Sequence, residues 1–139
     1  MKTAFIIMFI FLGQAYNIEL AITPVEQATG LMYRKEWTEK SQGMLFINKT
    51  PRQVSFWMKN TYLPLTMYYL DKNFNILEIN HPIPLDENGV ISKSDQVQYI
   101  FELNPKLEIQ VTKNWKEFSK LLKQQLKEKE KKFLKLTIN

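Results

Sequence analysis

The hydrophobic and polar positions of this chain change period several times, and each change marks an element. Thr3 to Leu12 is a continuous apolar run, TAFIIMFIFL, behind Met1-Lys2. From Asn17 to Ile22 the pattern alternates, Ile18, Leu20 and Ile22 against Glu19 and Ala21, which is the two-residue period of a half-buried strand. Thr23-Pro24-Val25-Glu26 then combines a capping hydroxyl, a proline at the first helical position and a glutamate three residues after the cap. With Gly30 standing where a helix would stop, a short helix is predicted over about 24–29. After the polar stretch 33–42, Met44 to Ile47 is a short apolar run of strand type, and Asn48-Lys49-Thr50-Pro51 reads as a turn. Val54 to Lys59 sets Val54, Phe56 and Met58 against Ser55, Trp57 and Lys59, as a strand would. Leu65 to Leu70 and Phe74 to Ile79 form a hairpin about Asp71-Lys72-Asn73. Residues 81–94, with Pro82, Pro84 and Asn88-Gly89, read as a long loop. Val97, Tyr99, Phe101 and Leu103 alternate again, and Leu107 to Val111 is a last candidate strand. From Asn114 onward Trp115, Phe118, Leu122 and Leu126 recur at helical steps with lysines between them, giving an amphipathic helix. Phe133 to Ile138 either frays from that helix or returns as a strand.

About seven short strands without strand-helix-strand alternation predict a mainly β fold, with α+β also open. The expected form is an antiparallel sandwich or partly closed barrel with one short N-terminal helix and a C-terminal amphipathic helix. The N-terminal run is about ten residues long, too short for a spanning helix, and is followed by small residues at Gly13 and Ala15. It reads as a signal peptide over residues 1–15, cleaved after Ala15, and so as export to the periplasm or exterior; an uncleaved anchor and a buried N-terminal strand are the other readings. The expected organisation is then 1–15 signal peptide, 16–112 β domain and 113–139 lysine-rich helix.

Composition narrows the chemistry. With 139 residues the chain has room for one domain, and without cysteine it has no disulfide, thiolate nucleophile or zinc finger. A single histidine, His81, excludes a multi-histidine metal centre. The formal charge of +5 is unevenly placed: Lys113 to Asn139 carries 9 Lys and 3 Glu, whereas residues 1–112 carry 10 basic and 11 acidic side chains. No nucleic acid is expected as a partner, and an anionic membrane surface is one that the basic helix, residues 113–139, would attract.

Several blocks stand in an ordered series: Gly30-Leu31-Met32-Tyr33-Arg34, Gly43-Met44-Leu45-Phe46, Ser55-Phe56-Trp57-Met58-Lys59-Asn60-Thr61, Pro64-Leu65 and Phe101-Glu102-Leu103-Asn104. In this order and spacing, over roughly residues 18–104, the chain resembles the bacterial and archaeal family called domain of unknown function 192. The resemblance implies a compact, mainly antiparallel β domain, commonly exported, and no established activity. The family's Pro-Leu-Asp is here Pro64-Leu65-Thr66, and the stretch after Asn104 departs from the family pattern.

Within these blocks Arg34, Lys59, Asn60, Thr61, Glu102 and Asn104 are polar residues at the ends of apolar elements, where side chains project from a sheet rim. With Trp57 as an aromatic platform they make a candidate cleft for a small polar, polyhydroxylated or anionic ligand. The competing reading pairs Arg34 with Glu102 and has Asn60 and Asn104 satisfy turns. Catalysis finds one acid in the motifs, Glu102, which an enzyme would use as acid or base. Ser55 has no adjacent base and His81 lies at a proline-flanked loop. Met32, Met44 and Met58 read as core filling rather than Cu(I) ligands, and Asp86, Glu87 and Asn88 as a turn rather than a calcium loop. No cofactor and no metal are implied.

Overall fold

The computed structural model describes residues 5–138. Among these residues there are eight strands: β1 Phe5–Phe11, β2 Gln14–Ala21, β3 Gly43–Arg52, β4 Ser55–Phe56, β5 Thr66–Leu70, β6 Ile76–Asn80, β7 Val90–Ile91 and β8 Val97–Leu103. The helices are α1 Pro24–Thr29, α2 Glu108–Lys113 and α3 Trp115–Ile138, with a 3-10 turn at Pro105–Leu107 before α2. Six strands form one sheet in the order β1-β2-β3-β8-β5-β6, and β4 pairs with β7 in a small separate ribbon.

The mainly β class holds, in the sandwich-like form of the two expected, and one detail, the strand direction, differs. The large sheet is open, with β1 and β6 at its edges, rather than closed into a barrel. It is also mixed, because β2 and β3 run parallel, Ile18 opposite Gly43 and Ala21 opposite Phe46. Parallel neighbours require a long crossover. Residues 22–42 supply it, beginning with α1, whose Thr23 and Glu26 form the capping box read from the sequence.

The apolar N-terminal run is β1, paired in register with β2 from Phe5 opposite Leu20 to Phe11 opposite Gln14. Leu12 and Gly13 both have positive φ, 50° and 78°, the form of two-residue turn whose twist suits a hairpin. Ile7 and Phe11 lie in the core, so in this structure the run takes the buried-strand form, and a cut after Ala15 would pass through β2. Residues 1–4 lie outside the described residues.

Alternation along each strand divides the sheet into two faces. On one, Tyr16, Ile18, Leu20, Leu45, Tyr68, Phe101 and Leu103 pack beneath Val111, Phe118, Leu122 and Leu126 of the helices. The Phe118 ring lies 5.1 Å from Tyr16, 5.5 Å from Phe11 and 5.8 Å from Phe101, an aromatic cluster that docks α3. Polar pins set the angle of the helices: Tyr16 donates to Gln110 at 3.1 Å, and the Trp115 indole donates to the Phe74 carbonyl at 2.7 Å. On the other face Ala21, Met44, Phe46, Met67, Tyr69 and Ile100 are covered by loops carrying Leu31, Val54, Met58, Leu63 and Leu65.

Three local expectations are corrected. Leu107 to Val111 is helical rather than extended, because Asn104 accepts from the Lys106 N–H at 3.1 Å and Pro105 opens the turn that leads into α2. Only Ser55–Phe56 of the Val54 to Lys59 run is strand, and the rest turns through Asn60 at φ 57°. The expected turn at Asn48 to Pro51 is absorbed into β3, whose register against β8 shifts between Ile47 and Arg52.

Candidate functional site

The loop-covered face holds the site. β8 is flanked by β3 and β5, and Glu102 stands opposite Met44 on one side and Met67 on the other. Because Phe101 and Leu103 point into the helical layer, Glu102 must point to the opposite face, under the loops. Its side chain is buried, the residue being 5% exposed, and among the described residues its carboxyl has no hydrogen-bond or ion-pair partner. Burial alone therefore raises its pKa from 4.5 to about 8, so that it is largely protonated at neutral pH.

Glu102 lines a cavity of about 280 Å³. The crossover between β2 and β3 contributes Gln27, Thr29, Gly30, Leu31 and Met32; the segment after β3 contributes Ser55, Phe56, Trp57, Met58 and Thr61; and Arg52 lies at the end of β3. Gly30 has φ 48°, and a β-carbon there would come within 3.2 Å of the Phe46 ring, so glycine lets the crossover close onto the sheet at this wall. The lining mixes an apolar middle with one protonatable acid, hydroxyls and a guanidinium. It can accommodate a small molecule and donate hydrogen bonds to its oxygens.

Of the seven residues singled out from the sequence, Trp57, Thr61 and Glu102 line this cavity. Lys59 stands beside them, its amine 5.1 Å from the centroid of the Trp57 ring, a cation–π distance. Asn60 adjoins them, donating from Nδ2 to the Tyr33 hydroxyl at 3.0 Å while its carbonyl accepts from the Tyr33 N–H at 2.8 Å. Arg34 and Asn104 have other work. Arg34 grips Glu19 of β2 with two hydrogen bonds of 2.5 and 2.9 Å, and Ser41 donates to the same carboxylate, so the partner of Arg34 is Glu19 and not Glu102. Asn104 caps the 3-10 turn with its side chain and donates its backbone N–H to Gln42.

The residues set aside also find places. His81 lies 2.7 Å from Glu108, which also accepts from Thr66 at 2.6 Å, so this trio ties α2 to the sheet. Burial by itself would raise the Glu108 pKa, but the Thr66 and His81 hydrogen bonds and the His81 charge bring it below the ordinary value. Met44 and Met58 are buried in the loop-side core. Asp86 accepts from the Asn88 N–H at 2.9 Å in a turn.

Sequence reading missed Gln27, Arg52 and Phe56 as cavity residues. A signal for Arg52 was present, an arginine beside Pro51 next to an apolar run. Its place in the cavity depends on the irregular pairing of β3 with β8, which no periodicity reports.

Known proteins share this architecture. A Novosphingobium aromaticivorans protein of unknown function is 28% identical, with a TM-score of 0.63 over 77% of this chain and 76% of its own. A Sinorhizobium meliloti protein, provisionally described as a transcription regulator, is 35% identical, with a TM-score of 0.59 over 71% of this chain and 78% of its own. Among curated proteins none matches. The model of the DUF192 family, described as an uncharacterized ACR, matches residues 10–111, which take in β2 to β8, the crossover and the cavity, and the chain belongs to that family.

Proposed function

We propose that this protein is a binding module whose cavity takes a small polar ligand, with Glu102 as its central hydrogen-bonding group. One observation carries the reading: an acid without a partner among the described residues, on a central strand of the sheet and lining a cavity. Burying an unpaired carboxyl costs several kcal/mol, and a fold of ordinary stability gains nothing from it unless the group serves a ligand. The volume, about 280 Å³, lies just below the range of drug-sized ligand sites, about 300 to 1,000 Å³, and suits a smaller molecule. Arg52 at the rim and Thr61 and Ser55 in the lining add donors for ligand oxygens.

A thermal-shift and NMR screen of sugars, small carboxylates and inorganic anions tests this reading, using the wild type with Glu102→Gln and Glu102→Leu. At least one compound is expected to stabilise the wild type and to lose most of its effect in Glu102→Leu. Equal shifts in both proteins, or none with any compound, would reject the cavity as a ligand site.

An enzyme using Glu102 as acid or base on such a ligand is a second reading, favoured by the same raised pKa, since a group poised near neutral pH suits proton transfer. Slow turnover of a bound compound, abolished in Glu102→Gln with binding retained, distinguishes it. Export with cleavage after Ala15 and attachment of α3 to anionic lipid are separate proposals. The intact mass of the protein recovered from cells tests the first, and salt-sensitive sedimentation with anionic vesicles the second. A nucleic-acid role, which the description of the Sinorhizobium relative would suggest, has the lysines of α3 to rest on, and these lie beyond the matched region.

A further inference from the structure

We propose that the ligand of the Glu102 cavity is a small amino acid, its ammonium group held by Glu102 and its carboxylate by Arg52. This rests on the reading of the cavity as a ligand site and adds the charges of the ligand to it. Glu102 and Arg52 line the same cavity and do not pair with each other. Among the described residues the ion pairs are Arg34 with Glu19 and His81 with Glu108, and neither cavity group takes part in them. Burial alone displaces the Glu102 pKa, so the Arg52 guanidinium stands too far off to hold that carboxyl ionised. Arg52 is exposed, and its contact with the protein is a long one, from Nη2 to Asn48 Oδ1 at 3.5 Å, which leaves most of its donors for a ligand. One cavity thus holds an acid and a cation, each without a counter-charge and separated by a gap.

The acid itself calls for a cationic group. Hydrogen bonding to a neutral ligand would be met by glutamine, which offers a donor and an acceptor and has no charge to desolvate. A buried carboxyl adds to this only the ability to ionise, and an ionised carboxylate in an enclosed site needs a positive partner. Thr61 agrees with that reading: it is buried, and its hydroxyl donates to the Lys59 carbonyl at 3.2 Å, so what its oxygen has left to offer a ligand is an acceptor. On the adjoining strand β5, Tyr69 is the titratable side chain that feels Glu102; burial raises its pKa and its hydroxyl donates to the Val90 carbonyl, so it stays neutral and supplies no counter-charge. Arg52 then asks for the opposite sign, and Lys59, whose amine lies over the Trp57 ring, adds a second positive charge beside the lining. A ligand with an amine alone would leave Arg52 unused, and one with a carboxylate alone would leave Glu102 so. The rest of the lining, with Leu31, Phe46, Phe56 and Met58, is apolar and suits a short carbon skeleton.

The test titrates full-length protein with apolar α-amino acids and short ω-amino acids, each beside the amine that lacks the carboxylate and the carboxylic acid that lacks the amine, following heat and NMR shifts. A member of either amino-acid series is expected to bind about tenfold more tightly than both of its single-charge analogues. At pH 7 Glu102 is about nine-tenths protonated, so its pairing with an ammonium should release about 0.9 proton, read from the binding heats in two buffers of different ionisation enthalpy. Glu102→Gln keeps the hydrogen bonds and should fold; it is expected to weaken amino-acid binding about thirtyfold or more and to abolish the proton release. Arg52→Gln should weaken it about fivefold, the size of a solvated pair. An amino acid bound no better than one of its single-charge analogues, or bound without release of a proton, would overturn the inference. Sugars, carboxylates or inorganic anions that bind in a manner dependent on Glu102, with no amino acid bound, would overturn it and leave the cavity reading intact. No compound of any class bound by the wild type would remove both readings.

Discussion

Replacing Glu102 with glutamine keeps the size of the side chain and one carbonyl while abolishing its charge, which makes it a direct probe of the buried acid. In the folded protein burial lifts this carboxyl from 4.5 to about 8, so the folded state holds its proton over a range in which the unfolded chain has released it. The folded pKa is raised, so stability is greatest below about pH 4.5 and declines as pH rises through 8, then levels off. At about 1.4 kcal/mol per unit of pKa the whole decline is about 5 kcal/mol, of which about 3 kcal/mol is already lost at pH 7. Glu102→Gln should therefore match the wild type near pH 4.5 and exceed it by about 3 kcal/mol at pH 7 and more at pH 9. Urea unfolding of both proteins at half-unit steps from pH 4.5 to 9 measures the difference, and NMR titration of the Glu102 carboxyl carbon gives its midpoint independently. A difference that stays flat across this range, or a midpoint below 6, would refute the argument that the carboxyl is buried and unpaired. A variant more stable than the natural protein would also fit a residue kept for ligand binding at the expense of stability.

Gly43→Ala should destabilise by about 1–3 kcal/mol in urea unfolding, since its new methyl would sit 2.7 Å from the Glu102 carbonyl oxygen and 3.1 Å from the Phe101 ring. Phe118→Ala removes the ring at the centre of the helical layer and should cost about 3–5 kcal/mol, with loss of near-ultraviolet dichroism from the aromatic cluster. Arg34→Ala leaves the buried Glu19 carboxylate with Ser41 but without its guanidinium. It should cost about 2–3 kcal/mol in urea unfolding at pH 7, less than a fully buried pair because Arg34 is partly solvated.

Local chemistry made part of this fold legible. The Thr23-to-Glu26 capping box is a four-residue device, and the hairpin around Asp71 is fixed by side-chain bonds to Asn73 and Asn75. Both were readable because cause and effect lie within a few residues. The parallel pairing of β2 with β3 was not, because it depends on which strands meet across a gap of some twenty residues. The N-terminal run shows a different limit: its local pattern reads first as a signal peptide, and its pairing with β2 is a contact that no local pattern reports. At the site, Trp57, Thr61 and Glu102 were visible as polar or aromatic residues interrupting apolar blocks. Arg34 carried the same signature for another reason, since its partner Glu19 occupies the face of an alternating strand where a polar residue looked solvent-facing.

The parallel pair has a consequence for how such a protein can diversify. Joining β2 to β3 obliges the chain to cross the sheet, and that single connection, residues 22–42, forms one whole wall of the cavity. The opposite floor, Glu102, belongs to a central strand fixed by neighbours on both sides. The cavity's wall and its floor are thus carried by different stretches of sequence. Exchanging residues 28–32 alone, with Gln27, Arg34, Ser41 and Gln42 kept on their partners in the sheet, would re-cut the cavity wall while leaving Glu102 and the strands in place.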